Sequence, residues 1–366
     1  MTRMRRREFV ETLGYAAIGV GAAGSLQSAR SARATASNEK IKIGQIGTAH
    51  AHASGKIETI RKLADDYELV GVVEPDSERR RIAETQKAYR DVKWTTEEQL
   101  LNTAGLKVVA VETAVRDLVP TAARCVAAGM HVHLDKPAGE SLGEFKKLLD
   151  EATRKKRVVQ MGYMFRYHPA FQLCFKAVRE GWLGEIFETR GFMSKAINAV
   201  QRKELVPYSG GAMFELGCHL IDILVRMQGK PDKVTAFVRR TRPRQDSLAD
   251  DQLAVFEYPK DVATIHVALM EVEGERRRQF AVSGDQGTAD VRPLEPARMT
   301  LVLSRAVGEF TRGSQEVNLP PLTGRYDGDF LDLARIVRGE KEPDFGPEHD
   351  LAVHETILRA SGLVRV

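Results

Sequence analysis

The chain has 366 residues, 43% hydrophobic and 29% charged, with a mean hydropathy of -0.30 and a formal net charge of +5. That length exceeds what one core usually supports, so two domains of an ordinary globular protein are expected. The charge argues against a polyanion binder: Arg3, Arg5, Arg6, Arg7, Arg30 and Arg33 against Glu8 and Glu11 put +4 into the first 36 residues and leave the rest near neutral.

Residues 1–36 read as a targeting segment rather than as part of the fold. In "RRREFVETLGYAAIGVGAAGSL", Arg6 and Arg7 precede Phe9, Val10 and a mild Gly/Ala-rich stretch, which resembles a twin-arginine export signal. The stretch is too weakly apolar and too short for the ~20 residues a membrane crossing needs, so no membrane insertion is expected after cleavage. "ARATAS" places that cleavage near Ala36 and implies a periplasmic or otherwise extracytoplasmic protein, exported already folded.

Between residues 37 and 160 short apolar runs alternate with helical patterns. "IKIGQIG" (41–47), "LVGVV" (69–73), "KVVAVE" (107–112), "HVHL" (131–134) and "VVQMG" (158–162) are too unbroken for half-exposed strands. "PTAARCVAAG" (120–129) reads as a helix closed by Gly129. The alternation predicts a Rossmann-type, doubly wound parallel sheet in an α/β protein. From 161 to 366 the texture changes. Helices are expected near 169–181, 212–228, 326–338 and 348–361, with long strands at 186–194, 232–240, 252–257, 262–270, 277–283 and 298–304. Alternation such as that of "VATIHVALM" (262–270) predicts a large open, mainly antiparallel sheet covered on one face, and "TRPRQDSLADD" (241–251) a long loop. Cys125, Cys174 and Cys218 form no C-x-x-C pair and lie in apolar helical contexts, as small core residues do.

Three stretches carry chemistry. In "IKIGQIGTAHAH" a strand runs into Gly47 as in a dinucleotide loop, but Ala49 and His52 stand where the second and third glycines of GxGxxG are expected. Glu74 ends the second strand, where an acidic residue accepts the adenosine ribose hydroxyls and disfavours a 2′-phosphate; Arg79, Arg80 and Arg81 weaken that preference. In "HVHLDKPAGE" a strand ends in Asp135-Lys136-Pro137 and projects a lysine from the carboxyl edge of the sheet. In "YSGGAMFELGCHLIDILVRMQGKPD", Ser209 can cap a helix that Gly229 and Pro231 end. Glu215, His219 and Asp222 share one stripe of that helix and Met213, Leu216, Leu220, Ile223 and Leu224 the buried side. The stripe suggests an acid/base cluster around His219, or a structural Glu-His-Asp network. No metal is expected, because this helix offers too few ligands and no second His/Cys cluster accompanies it.

In order, "IGQIGTAHAH", "DKP", "FRYHPAF" (165–171), "GWLGEI" (181–186), "SGGAMFELGCHLID" (209–222) and "FGPEHDLAVHETILRAS" resemble the glucose-fructose oxidoreductase, inositol dehydrogenase and MocA (Gfo/Idh/MocA) family over roughly residues 40–365. The resemblance implies a Rossmann domain, then an α/β domain whose open sheet makes homodimers or homotetramers. It implies a tightly held NAD, with NADP left open, and a small carbohydrate, cyclitol or polyol substrate. Lys136 matches the family's active-site lysine, His219 its general base, and Glu215 the acidic partner that is usually Asp. Gly47, Thr48, Ala49, His50, Glu74, Thr113, Asp135, Lys136 and Arg166 fall at its cofactor positions. Tyr163, Arg166, His168 and Asp222 fall at the substrate side. The segment "ETAVRDL" (112–118) lacks the family's Pro-Asn and downstream His.

The expected function is hydride transfer between nicotinamide and a secondary hydroxyl or ketone. Two alternatives stand beside it. One is a redox-neutral glycosidase that oxidises, eliminates, hydrates and re-reduces; the other is a non-catalytic sugar-binding or assembly protein on a dehydrogenase scaffold.

Overall fold

The five apolar runs of the first half form one parallel sheet, because each is buried on both faces and only helical crossovers can cover both. The computed structural model describes residues 39–364; the expected targeting segment and its cleavage point near Ala36 lie outside the described residues. Strands β1 (Ile41–Ile46), β2 (Tyr67–Val73), β3 (Leu106–Val111), β4 (His131–Leu134) and β5 (Val159–Met161) lie in the order β2-β1-β3-β4-β5. The order reverses between β1 and β3, so a crevice opens at their carboxyl ends. Helices α1 (Ala53–Lys62), α2 (Ser77–Glu84), α3 (Glu97–Leu101), α4 (Val115–Ala127) and α5 (Leu142–Arg154) make the crossovers.

Helix α4 starts earlier than its sequence suggests, at Val115 rather than Pro120, and absorbs part of the segment read as the 112–118 loop. Val115, Leu118, Val119, Ala122, Cys125 and Val126 form its buried face, and that apolar stripe outweighs a proline inside the helix. Gly129, at φ 89°, follows its end as expected.

The second sheet has eight strands: β6 (Ile186–Phe192), β7 (Lys233–Arg239), β8 (Asp251–Glu257), β9 (Val262–Ala268), β10 (Gln279–Gly284), β11 (Gly287–Leu294), β12 (Ala297–Leu303) and β13 (Gly313–Glu316). Their order is β13-β12-β11-β10-β6-β9-β8-β7, antiparallel throughout except for the β6–β9 pair. Strand β11, which no expected strand covered, alternates buried Ala289 and Val291 with less buried Thr288, Asp290 and Arg292 and includes Pro293; ladders on both sides hold it, Val291 facing Phe280 and Met299. Helices α6 (Pro169–Arg179) and α7 (Ala199–Leu205) precede a π-helical turn at Met213–Gly217, which runs into α8 (Cys218–Gln228). Helix α8 covers the inner face of the sheet: Gly191 leaves room for Leu220, and Ile265 is fully buried beside it. Helices α9 (Asp327–Val337) and α10 (Pro347–Ala360) return to the body; α10 packs on α5, α8 and β7. Cys125, Cys174 and Cys218 are buried free thiols. No helix among the described residues is long and apolar enough to cross a membrane.

Candidate active site

Strand β1 ends in Gly47 at φ 91°, and a Cβ there would meet the Thr113 backbone nitrogen at 2.6 Å. Only glycine combines that dihedral with so close a backbone approach. The loop is tied down by Gly47 N–H donating to the Val73 carbonyl (2.8 Å) and His50 N–H to the Glu112 carbonyl (3.0 Å). Thr48 donates its N–H and its hydroxyl to Glu74 Oε2, each at 2.7 Å, so the Glu74 carboxylate is turned back onto the loop. A cleft of about 640 Å³ opens here, lined by Gly47, Ala49, Glu74, Thr113, Arg80 and Trp94 among others. The Arg80 guanidinium lies over the Trp94 ring at 5.1 Å. A dinucleotide fits this architecture: glycine gives the close turn, Glu74 stands at the ribose position, and the cleft has room for an adenosine.

Lys136 leaves the end of β4, is only 1% exposed along its side chain, and is not among the residues that line this cleft. Its Nζ donates to the Glu215 carbonyl at 2.7 Å and lies 3.6 Å from the Glu215 carboxylate, which also meets Lys195 at 3.8 Å. Burial alone would lower the Lys136 ammonium, but Glu215 together with Cys218, Asp135 and Tyr326 overcomes it and raises it. Burial likewise pushes Glu215 up, yet Lys136 and Lys195 overcome this and hold it at about 2. Lys136 is therefore a cation and Glu215 an anion near neutral pH.

Glu215 lies in the π turn, a deformation of helices that recurs at functional sites, and the turn alters the spacing to His219 that an α-helix would give. Its charge contacts are with the two lysines, while His219 Nδ1 is buried without a partner. Ser209, expected to cap this helix, instead donates its N–H to Glu140 at 2.8 Å. Burial, then the Lys136 charge, holds His219 well below its ordinary range, leaving a neutral imidazole near pH 7. Tyr163 and Phe165 stand edge-on to that ring at 6.1 and 5.8 Å.

Asp135, fully buried, accepts the Lys136 N–H at 2.6 Å and faces Lys56, His50 and His52. Burial would raise its carboxyl, but burial also holds the His50 imidazole down at about 4, so near neutral pH the Lys56 ammonium and the His52 ring hydrogen bond are what keep Asp135 ionised. Arg166 and Asp222 are brought together away from the cleft. The Arg166 guanidinium, without exposure, holds Asp222 at 2.7 Å and also Asp350 of α10, and it stacks on Phe345 at 4.3 Å. In this position the pair joins α8 and α10, while Arg166 Nη1 is buried without a partner. His168 caps α6, its Nδ1 accepting from Ala170 N–H at 3.2 Å. Lys56, Lys195 and Tyr326 were not singled out by spacing, and His52 only as a departure from the expected glycine. Tyr326 reaches the site from far along the chain, 5.7 Å from the His52 ring and over Lys56 at 5.0 Å, and Gly55 makes room for it.

The fold and this seam define a class: a Rossmann nucleotide-binding sheet whose carboxyl edge presents a buried lysine to a second, mostly antiparallel sheet. Comparison with known proteins agrees. Residues 41–163 match the family model for the oxidoreductase family NAD-binding Rossmann fold, and residues 171–290 match that for the GFO/IDH/MocA C-terminal domain, together about two thirds of the chain. The chain belongs to the Gfo/Idh/MocA family of oxidoreductases. An oxidoreductase of Escherichia coli strain K12, YhhX, is 27% identical over 203 residues, 55% of this chain and 57% of that one. Trans-1,2-dihydrobenzene-1,2-diol dehydrogenase of Macaca fuscata fuscata is 24% identical over 169 residues, 46% of this chain and 49% of the relative. The chain thus spans about half the length of the curated relatives it matches. Among solved structures, aldose-aldose oxidoreductase from Caulobacter crescentus superposes with a TM-score of 0.74 at 18% identity, covering 89% of this chain and 99% of that one. UDP-N-acetylglucosamine 3-dehydrogenase from Acidithiobacillus ferrooxidans gives 0.72 at 18% identity over 89% and 98%. At such identities the two structures share the fold.

Proposed function

We propose that this chain is an NAD(P)-dependent oxidoreductase that interconverts a secondary hydroxyl of a sugar, cyclitol or related polyol with the ketone. The observation that carries the reading is the buried Lys136 ammonium at the carboxyl edge of the parallel sheet, charged by Glu215 and close enough to a neutral His219 to depress it. A nicotinamide nucleotide, when bound, would accept or return the hydride. Gly47, Ala49, Glu74 and Thr113, which are among the residues that line the cleft, would hold it. His219 takes the hydroxyl proton, for which a neutral imidazole is the required form. Lys136 stabilises the charge that develops on the same oxygen, an effect of roughly 3–4 kcal/mol for one well-placed donor. Glu215 keeps Lys136 protonated and fixes its direction. The names of one relative, a 1,2-diol dehydrogenase, and of one structural neighbour, an aldose-aldose oxidoreductase, support a polyhydroxylated substrate.

The reading extends to an exported protein that carries its nucleotide tightly bound, supported by the Arg6-Arg7 segment. It extends also to a homodimer or homotetramer through the outer face of the eight-stranded sheet. Phe237, Val262 and Val302 share that face by strand register and are 52%, 48% and 39% exposed. The test is to denature gently purified protein, identify the released nucleotide, and assay Lys136→Ala and His219→Ala on a responsive sugar. A roughly 100-fold or greater loss of kcat in each is expected; near-normal turnover would refute the assignment.

A further inference from the structure

His50 and His52 sit on the loop between β1 and α1, and Asp135 ends β4, so the parallel sheet brings 83 residues of separation to one spot on its carboxyl edge. Asp135 Oδ2 lies 3.2 Å from Nδ1 of His50 and 3.2 Å from Nδ1 of His52, and ligand atoms of the three residues all lie within 4.8 Å of one another. Nitrogen and oxygen ligands at the usual ~2.0–2.2 Å from a tetrahedral zinc-type ion stand roughly 3.3–3.5 Å apart, close to this spacing.

The hydrogen bonds fix the tautomer of His50, whereas His52 Nδ1, 3.2 Å from both Asp135 oxygens, donates its proton to them in the metal-free site and would release it on metal binding. His50 Nε2 is 3.0 Å from the Lys136 carbonyl oxygen, which can only accept, so Nε2 carries the proton and donates it. Nδ1 is then a bare lone pair facing a carboxylate oxygen, and its one donor among the described residues is the His52 amide at a long 3.4 Å. Two acceptors held at this distance repel each other unless a cation lies between them. The Nε2–H bond to a backbone carbonyl is also the outer contact that orients metal-bound imidazoles. Asp135 is held in place by the Lys136 N–H at 2.6 Å. Lys56, 3.3 Å from Oδ2, also meets Glu112 at 3.3 Å and the His133 ring at 2.6 Å, so its ammonium is held back in the sheet by these contacts.

We infer that His50, His52 and Asp135 bind one divalent transition-metal ion of zinc type, through the two Nδ1 atoms and the carboxylate. Three protein ligands leave a fourth position, as in sites where an ion holds water or a ligand oxygen. The two rings keep 10% and 16% exposure while Asp135 keeps none, so the open position lies on the rings' side.

The test uses the full chain, stripped with EDTA and free of nucleotide and sugar, titrated with Co²⁺ and then Zn²⁺. The expected result is one Co²⁺ per chain with the visible bands of four-coordinate nitrogen and oxygen ligation, bleached by equimolar Zn²⁺. His50→Gln and His52→Gln should each weaken binding roughly 100-fold, since each removes one of three ligands. His266→Gln, which disrupts a His–Asp pair on the outer sheet face, should leave it unchanged. Absence of stoichiometric Co²⁺ uptake by the wild type overturns the inference, as does a doubly protonated His50 ring by ¹⁵N chemical shift. Equal affinity in folded glutamine variants overturns it too, and if those variants fail to fold, the wild-type stoichiometry and bands decide. Because neither nucleotide nor substrate is present, failure here leaves the dehydrogenase reading standing, and failure of that reading leaves this result intact.

Discussion

Glu215 is the residue whose charge the seam depends on, and its carboxyl at about 2 has a measurable consequence. A carboxyl lowered from its ordinary 4.5 contributes stability that is fully present above pH 4.5 and is lost as pH falls through about 2. Glu215→Gln should therefore melt below wild type at pH 7, and the gap in Tm should close between pH 4.5 and 2; a gap constant with pH would contradict the Lys136–Glu215 pairing. Gly47 offers a second prediction. Alanine there meets the Thr113 nitrogen at 2.6 Å and must hold φ 91°, a combined strain of about 1–3 kcal/mol. Urea denaturation should show that loss, and nucleotide retention should fall with it. Ala49→Gly, by contrast, should tighten nucleotide binding if the methyl hinders close approach to phosphate, which isothermal titration would detect. At this scale the sequence was informative where chemistry is local: Gly47, Lys136 and His219 were found from short spacings. Lys56, Lys195 and Tyr326 were not, because an isolated lysine or tyrosine carries no local pattern and reaches the seam only through tertiary packing.

Elements behaved as their apolar periodicity dictated more than as their breakers did. Helix α4 runs through Pro120 because six buried side chains on one face favour continuing it. Strand β11 escaped notice because its alternating run, Thr288 to Arg292, is short and holds only two apolar residues, Ala289 and Val291, before Pro293; the ladders on either side place it. The π turn at Met213–Gly217 is a local departure that a periodicity reading treats as plain α-helix, and it directs the Glu215 carbonyl and carboxylate to Lys136. Between elements, the decisive contact is Arg166 with Asp222 of α8 and Asp350 of α10. Removing one partner of a buried ion pair costs about 3–5 kcal/mol. Arg166→Met should lower the denaturation free energy by that amount, and Arg166→Lys should not restore it, since a single ammonium cannot reproduce the fork. A loss below about 1 kcal/mol would mean that the network is not structural.

Over the whole molecule, α9 and α10 fasten the two sheets into one compact unit from Lys40 onward. Tyr67 of β2 donates its hydroxyl to the Phe330 carbonyl at 2.6 Å, and Arg338 pairs with Asp66 at 2.6 Å, so the end of the chain buttresses the first sheet. The two-layer architecture was readable because strand texture changes near residue 165, whereas the parallel β6–β9 pairing inside the second sheet depends on a crossover that no local pattern announces. The proposed oligomer makes its own prediction: Phe237→Glu places a charge in an exposed apolar patch and should lower the mass seen by light scattering without changing the far-ultraviolet circular dichroism. The Arg166 clasp also imposes an order of events during synthesis. Asp350 leaves the ribosome 184 residues after Arg166, so a nascent chain lacks the second of the two carboxyl groups that hold the guanidinium until translation is almost done. If the chain is exported folded, its amino-terminal address is in the cytoplasm long before the clasp can close. Something other than the address, namely the arrival of the last helix, must then set the earliest moment at which the protein is fit to leave.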